Sequence, residues 1–450
     1  MTLKIVNCIS DKYLHKIYFV ISLFFVTLFS IFMPLFNEPD GQYHLAVTGR
    51  VAHNIIDTSR YGEKFIVTGV KSQEESYKDK THFETYYLNK AQFIEPKKLP
   101  RNIKFNYYNF VYFGHIIPAI GLIIGKIVYP SIGVMVTFAR LTSGLLYTLS
   151  VYVIIKKLRK FKLLYTALYL SPVVINSFAS LSYDSLGFVI VGLFLMLLIN
   201  KIEEEDSVKI ENNYPKNSFM ILLSSLLLIL GSKQNYWILL LLLPVYYYFD
   251  NSTFKKWIDN MRMRFSNLTK TQYLGLGLVG LVLMLISSFV ISMPYGGILV
   301  VARRYFMTII FSYGKTFGVN SWFSEPYPHI NSMPSWTSAL WIVLMILILF
   351  SEKTTVKHPF IGYYTFALFI LGIFGVYYIQ LGYNGANTSY IEGVQGRYFT
   401  PTTLLLSYFF SSLNSNFKPA KKYSLQLVLL ITVVVTNSML LFNTLIDLLR

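Results

Sequence analysis

Several stretches of this chain run for about twenty residues without a single charge. Among them are Ile17–Leu35, Tyr273–Met293, Phe360–Leu381 and Ser424–Ile446. Each is long enough to cross about 30 Å of hydrocarbon as a helix. A chain built this way needs lipid as part of its solvent. With 54% hydrophobic residues and a mean hydropathy of +0.48, it is too apolar for a soluble fold. The expected fold is therefore an all-α polytopic membrane protein, because inside a bilayer a helix satisfies its own backbone. The single cysteine, Cys8, excludes a disulfide framework and a cysteine-ligated metal. The net charge of +18 does not form a nucleic-acid-binding stripe. Roughly half of the basic residues sit between apolar runs, where they orient a membrane protein.

The basic start, with Lys4, Lys12 and Lys16, places the N-terminus in the cytoplasm. Ile17–Leu35 is too long for a signal h-region and lacks a small-x-small cleavage site, so it reads as an uncleaved span. Residues 36–131 form a large first extracytoplasmic loop. Its middle, Lys64 to Lys104, is mixed in charge, and a stretch this long is expected to carry function. Within the same segment, Phe110–Tyr129 is interrupted by His115, Pro118 and Lys126, which favours an interfacial or re-entrant helix over a full span. Ile132–Ile155 crosses and ends in Lys156, Lys157, Arg159, Lys160 and Lys162, the strongest cytoplasmic marker. Leu163–Leu181 and Leu186–Asn200 follow as a returning pair. The acids Glu203, Glu204, Glu205 and Asp206 are then cytoplasmic and solvated. Phe219–Gly231 and Trp237–Phe249 read as a short hairpin around Lys233. A second large outer loop, 294–337, holds Arg303, Arg304, Lys315, Trp322, Glu325 and His329. In all, about eleven spans are expected.

On this layout the unusual polar residues all fall on the outer side. The turn after the first span, Phe36-Asn37-Glu38-Pro39-Asp40-Gly41-Gln42-Tyr43-His44, is also rich in turn formers. Asp184 lies at the outer tip of one helix pair and Lys233 at the tip of the short hairpin. Arg140 lies about two turns into its span, and Gln395 and Arg397 begin the next-to-last one. A charge facing lipid costs at least about 2.5–3.5 kcal/mol on insertion scales, which favours a shared cavity. Each residue also has a simpler reading. Lys233 can snorkel to the interface. Arg140 and Asp184 can form a structural ion pair. Asp184 can cap the helix that follows it.

A basic cavity at a membrane surface suits transfer from a lipid-anchored phosphate. Arg offers a planar fork to phosphate oxygens and Lys a point charge. Asp40 is the candidate general base, in reach of an attacking hydroxyl. His44, Arg140, Asp184, Lys233, Gln395 and Arg397 are the candidate substrate-binding residues.

The stretch Glu392-Gly393-Val394-Gln395-Gly396-Arg397-Tyr398-Phe399-Thr400-Pro401 resembles the G-V-Q-G-R-Y-F-x-P signature of a bacterial membrane-protein family, domain-of-unknown-function 2142. That family is grouped with the C-type (GT-C) membrane glycosyltransferases. Pro39-Asp40 with His44 resembles its P-D-x-x-x-H after the first span. Arg140-Leu141, Ser182-Tyr183-Asp184 and Lys233 fall where the family has matching residues. The resemblance implies a many-helix fold, a catalytic Asp carried to Asp40, and a polyprenyl-phosphate-linked sugar as donor. In one respect the chain departs from the pattern. The family commonly has Asp-Glu after the first span, and here Asp40 is followed by Gly41. A lone Asp with a displaced Glu38 is a poor divalent-cation site, so no cofactor is assigned and a metal stays doubtful.

The function expected is therefore that of a membrane glycosyltransferase with its active site outside the cytoplasmic membrane. It would move a sugar from the lipid phosphate to a cell-envelope glycan. One rival is a polysaccharide polymerase or ligase using a lipid-linked oligosaccharide, with its site in the loop 294–337. Another is a lipid-linked sugar flippase, which needs polar residues through the full membrane depth.

Overall fold

The computed structural model describes residues 11–36, 38–57, 81–94, 109–204, 217–311, 319–327, 331–352, 359–383, 385, 388–413 and 422–449. Most of the first loop's Lys64–Lys104 middle lies outside these residues. So do Lys4, Cys8, Glu205, Asp206, Lys315 and His329.

The helices, in order, are α1 (Leu14–Phe32), α2 (Gly41–Val51), α3 (Phe110–Val128), α4 (Ile132–Lys157), α5 (Lys162–Tyr169), α6 (Pro172–Phe178), α7 (Asp184–Glu204) and α8 (Asn217–Gly231). A 3-10 helix, Gln234–Leu242, leads into α9 (Leu243–Asp250). Then come α10 (Ser252–Ser266), α11 (Lys270–Ser292), α12 (Ile298–Ile310), α13 (Ser335–Ser351), α14 (Pro359–Ile379), α15 (Leu406–Leu413) and α16 (Lys422–Leu449). The protein is an all-α polytopic membrane protein. Seven helices among the described residues are long and apolar enough to cross a membrane, and Ser218–Gly231 and Ser335–Ser351 are shorter apolar helices. The β-structure described is one two-stranded antiparallel pair, Ile55–Ile56 with Phe93–Ile94, which joins two parts of the first loop.

Three stretches differ from the expectation. Phe110–Val128 is one continuous 19-residue helix through Pro118, long enough for a full crossing. It packs closely on α4 at Gly121, where a Cβ would come within 2.6 Å of the Ala139 Cα. Small residues permit this backbone approach between membrane helices. Leu163–Leu181 is two short helices, because Pro172 cannot continue α5 and instead starts α6. Both are buried in the bundle, and Glu352 accepts the Leu163 and Leu164 N–H groups at 3.1 and 3.0 Å. A carboxylate there meets the orphan donors of the first turn of α5. The second hairpin arm, 234–250, begins as a nine-residue 3-10 helix. At about 2.0 Å per residue, followed by α9 at about 1.5 Å, it reaches about 30 Å despite its short sequence.

The second loop, expected to run through 294–337, contains helix α12. Its buried Arg304 donates to the Leu381 carbonyl at 2.9 Å and to Thr388 Oγ1 at 3.1 Å. One turn on, the Thr308 hydroxyl accepts the Ile391 N–H at 2.8 Å. These bonds fasten the segment that runs into Gln395 and Arg397. Arg303, beside Arg304, is exposed.

Candidate functional site

Asp184 begins α7, where its N–H donates to Ser182 Oγ at 3.2 Å. Its carboxylate is buried and doubly paired. Lys233 Nζ lies 2.7 Å from Oδ1, and Arg397 Nε donates to Oδ2 at 2.8 Å. Lys233 comes from the hairpin turn and Arg397 from the 3-10 turn Gly396–Tyr398. The Gly396 N–H donates to Ser321 Oγ at 2.9 Å, which fixes that turn to the second loop. Lys233 does not snorkel outward. Its ammonium sits 4.1 Å from the Tyr398 ring centroid and 4.8 Å from that of Tyr183, so two aromatic faces and a carboxylate hold it.

One carboxylate and two cations leave this cluster with an excess positive charge. Arg397 presents its Nε side to Asp184, and its buried Nη1 has no partner among the described residues. The Gln395 Oε1 is likewise buried and unpartnered. Buried polar atoms are almost always paired, and these two are the open donor and the open acceptor of the cluster. A cavity of about 300 Å³ opens beside the cluster, lined among others by Tyr183, Lys233, Asn235, Gln380 and Tyr398.

Arg140 belongs to a separate pair. Its Nη2 contacts Glu38 Oε2 at 3.2 Å and donates to the Pro34 carbonyl at 2.8 Å, while Nη1 donates to the Met33 carbonyl at 3.0 Å. The other Glu38 oxygen accepts the Leu181 N–H at 3.1 Å. Arg140, a candidate substrate-binding residue with an ion pair to Asp184 as its simpler reading, is paired with Glu38 and not with Asp184. It fixes the turn after α1 to α4 and to the approach of α7. Both Glu38 oxygens are engaged, and among the described residues no group of three or more His, Cys, Asp or Glu is placed to hold a metal ion.

The Glu38 anchor presents Asp40. Asp40 has a left-handed backbone, φ 58° and ψ 29°, at the N-cap of α2, and its exposed side chain makes no capping bond. Gly41 follows because a Cβ at that position would lie 2.7 Å from the Phe36 Cα. A second acid directly after Asp40 is sterically barred in this turn. Tyr327, from the second loop, feels both sides of the site. Burial raises its hydroxyl above the ordinary phenol range, the Asp40 carboxylate adds to this, and the Arg397 guanidinium opposes it. One turn after Asp40, His44 is buried, and its Nδ1 lies 2.9 Å from Nε2 of His115 on α3.

The structure thus brings Asp184, Lys233 and Arg397 into contact, with Gln395 two residues from Arg397. Asp40 and His44 stand on the neighbouring turn and helix, and Arg140 stands apart. The sequence reading did not identify His115, Tyr183, Tyr398, Ser321 or Tyr327 as site residues. His115 was legible only as an interruption of an apolar run, and the tyrosines only as part of a Tyr-rich interface.

Fold and site together define a polytopic membrane protein with a buried, cation-rich cluster at one end of its helices. The chain belongs to the family described as predicted membrane protein (DUF2142), whose model matches residues 23–406. No curated protein and no solved structure matches the chain.

Proposed function

We propose that the protein transfers a sugar from a polyprenyl-phosphate donor to a hydroxyl of a cell-envelope glycan, on the outer side of the cytoplasmic membrane. The observation that carries this reading is the buried, unpartnered Arg397 Nη1 beside Lys233, in a cluster whose charge is not balanced. A phosphate monoanion or dianion completes such a site by charge-assisted hydrogen bonds. In the reaction, the acceptor oxygen bonds to the anomeric carbon and the bond from that carbon to the phosphate oxygen breaks. The hydroxyl proton goes to Asp40, and the charge that develops on the departing lipid phosphate is met by Arg397 and Lys233. Asp184 holds both cations in place, Gln395 positions the donor, and Arg140 supports the turn that carries Asp40.

The second loop supplies Ser321 and Tyr327 to this region. That favours, as a second reading, a larger lipid-linked oligosaccharide as the transferred group.

The test is sugar transfer by purified protein in liposomes, from a panel of synthetic polyprenyl-phosphate sugars, with Asp40→Asn as the comparison. The reading expects wild type to release polyprenyl phosphate when acceptor is present. Asp40→Asn binds donor and turns over at least about 100-fold more slowly. Equal turnover by both proteins removes Asp40 from the mechanism. Movement of donor between leaflets without its consumption establishes a transporter instead.

A further inference from the structure

His44 and His115 are a pair of titratable groups in contact that the transfer chemistry above does not use. Both rings are buried, at 2% and 0% exposure. Their protons can be placed from hydrogen-bond chemistry. His115 Nδ1 bonds to the Val111 carbonyl oxygen, and a carbonyl only accepts, so Nδ1 carries the proton. In a neutral ring the other nitrogen, Nε2, is then bare and accepts. His44 Nδ1, 2.9 Å away, must therefore donate to it. That leaves His44 Nε2 as a bare lone pair.

His44 stays neutral under ordinary conditions. Burial and then the adjacent His115 hold it well below the usual imidazole range. Asp184 pulls it upward, while Lys233 and Arg397 add to the depression. Tyr183 connects this pair to the cluster. Its ring meets His44 edge-on at 4.9 Å and His115 at 5.7 Å, and it lines the cavity beneath Lys233. Gly114 lets Tyr183 come this close, since a Cβ there would lie 2.3 Å from the Tyr183 Cβ.

We propose that His115 is a positioning residue that locks His44 as a hydrogen-bond acceptor, so that His44 Nε2 receives a sugar hydroxyl of the substrate and not a phosphate oxygen. The site then has two chemically opposite ends. Arg397 Nη1 is an unpartnered donor for phosphate, and His44 Nε2 is an acceptor that repels it. The lock follows from the hydrogen bonds alone. The choice of a sugar as the hydroxyl-bearing group rests on the transfer reading above.

The experiment is 15N NMR of the full chain, labelled at its seven histidines, in detergent at pH 7.5. The His44→Gln variant assigns the His44 signals. The expected spectrum has His44 protonated at Nδ1 and bare at Nε2. Addition of a polyprenyl-phosphate sugar shifts the Nε2 signal, and addition of sugar-free polyprenyl phosphate does not. In His115→Leu, His44 loses its single tautomer, the sugar-dependent shift disappears, and donor affinity and turnover each fall at least about tenfold. His115→Gln, whose amide oxygen accepts the same N–H, restores most of it. A wild-type His44 protonated at Nε2 overturns the lock. The same shift from both lipids, or from neither, overturns the sugar assignment. If wild type turns over no donor but the expected tautomer and sugar-dependent shift appear, the transfer reading falls and the His44 assignment stands.

Discussion

Asp184 and Arg397 meet at 2.8 Å across 213 residues of sequence, and Arg397 approaches with its Nε, not with its fork. This side-on geometry leaves Nη1 buried and unused. Asp184 therefore acts as the anchor for both cations and leaves that Arg397 donor open.

Asp184→Ala removes the anchor and leaves two cations buried without it. Breaking one side of a buried pair costs about 3–5 kcal/mol. Arg397→Lys keeps a charge near Asp184 but loses the planar fork. Thermal unfolding in detergent should show a large loss for Asp184→Ala and a small one for Arg397→Lys, with donor binding weakened at least about tenfold in both. Unchanged donor binding in Arg397→Lys would remove the fork from the account.

The Glu38–Arg140 pair should behave as structure. Arg140→Met strands a buried Glu38 and is expected to destabilise by about 3–5 kcal/mol. The double variant Glu38→Gln/Arg140→Met recovers part of that loss, because neither uncompensated charge remains. Donor affinity per folded molecule stays at the wild-type level in the double variant. Specific loss of donor affinity there, at unchanged stability, would place Arg140 on the phosphate after all.

Gly41→Glu restores the acid that the family pattern carries after the aspartate. Its Cβ would meet the Phe36 backbone at 2.7 Å. The expected result is lower stability and lower turnover, with no gain of divalent-metal dependence. Metal-stimulated activity in this variant would show that the turn can open to form a two-acid site.

Stability should depend on pH through His44. Its folded pKa lies below its unfolded value of about 6.5. Below that value the unfolded chain binds a proton that the folded chain does not, so the unfolded state gains. The contribution of His44 is full above about pH 6.5 and is lost as pH falls toward the folded value, at up to about 1.4 kcal/mol per pH unit. His44→Gln should flatten the acid limb of a stability–pH curve measured by thermal unfolding. An unchanged acid limb would mean that His44 titrates normally in the fold.

Much of this site was legible because charge is expensive in an apolar chain. Asp184, Lys233 and Arg397 stand out between apolar runs, and the same cost that makes them rare drives them together. The partner of Arg140 was not legible. Glu38 and Asp184 are both acids near helix ends, and only the turn geometry around Pro34 and Leu181 decides between them. The stretch after Lys162 has the length and lack of charge of one span, and its break was marked only by Pro172. Periodicity and charge counting also could not find the His44–His115 contact, which joins α2 to a helix that the sequence placed at the interface.

The most direct measurement of the central claim is equilibrium binding of polyprenyl phosphate and of neutral polyprenol to the purified protein. The two share a tail and differ only in the group that Arg397 and Lys233 are held to meet. The account predicts that wild type prefers the phosphate by at least about tenfold, and that Arg397→Lys and Lys233→Met each lose most of that preference. Equal binding of both lipids to wild type would contradict it, because the cluster would then be a structural ion network with no anion to complete it.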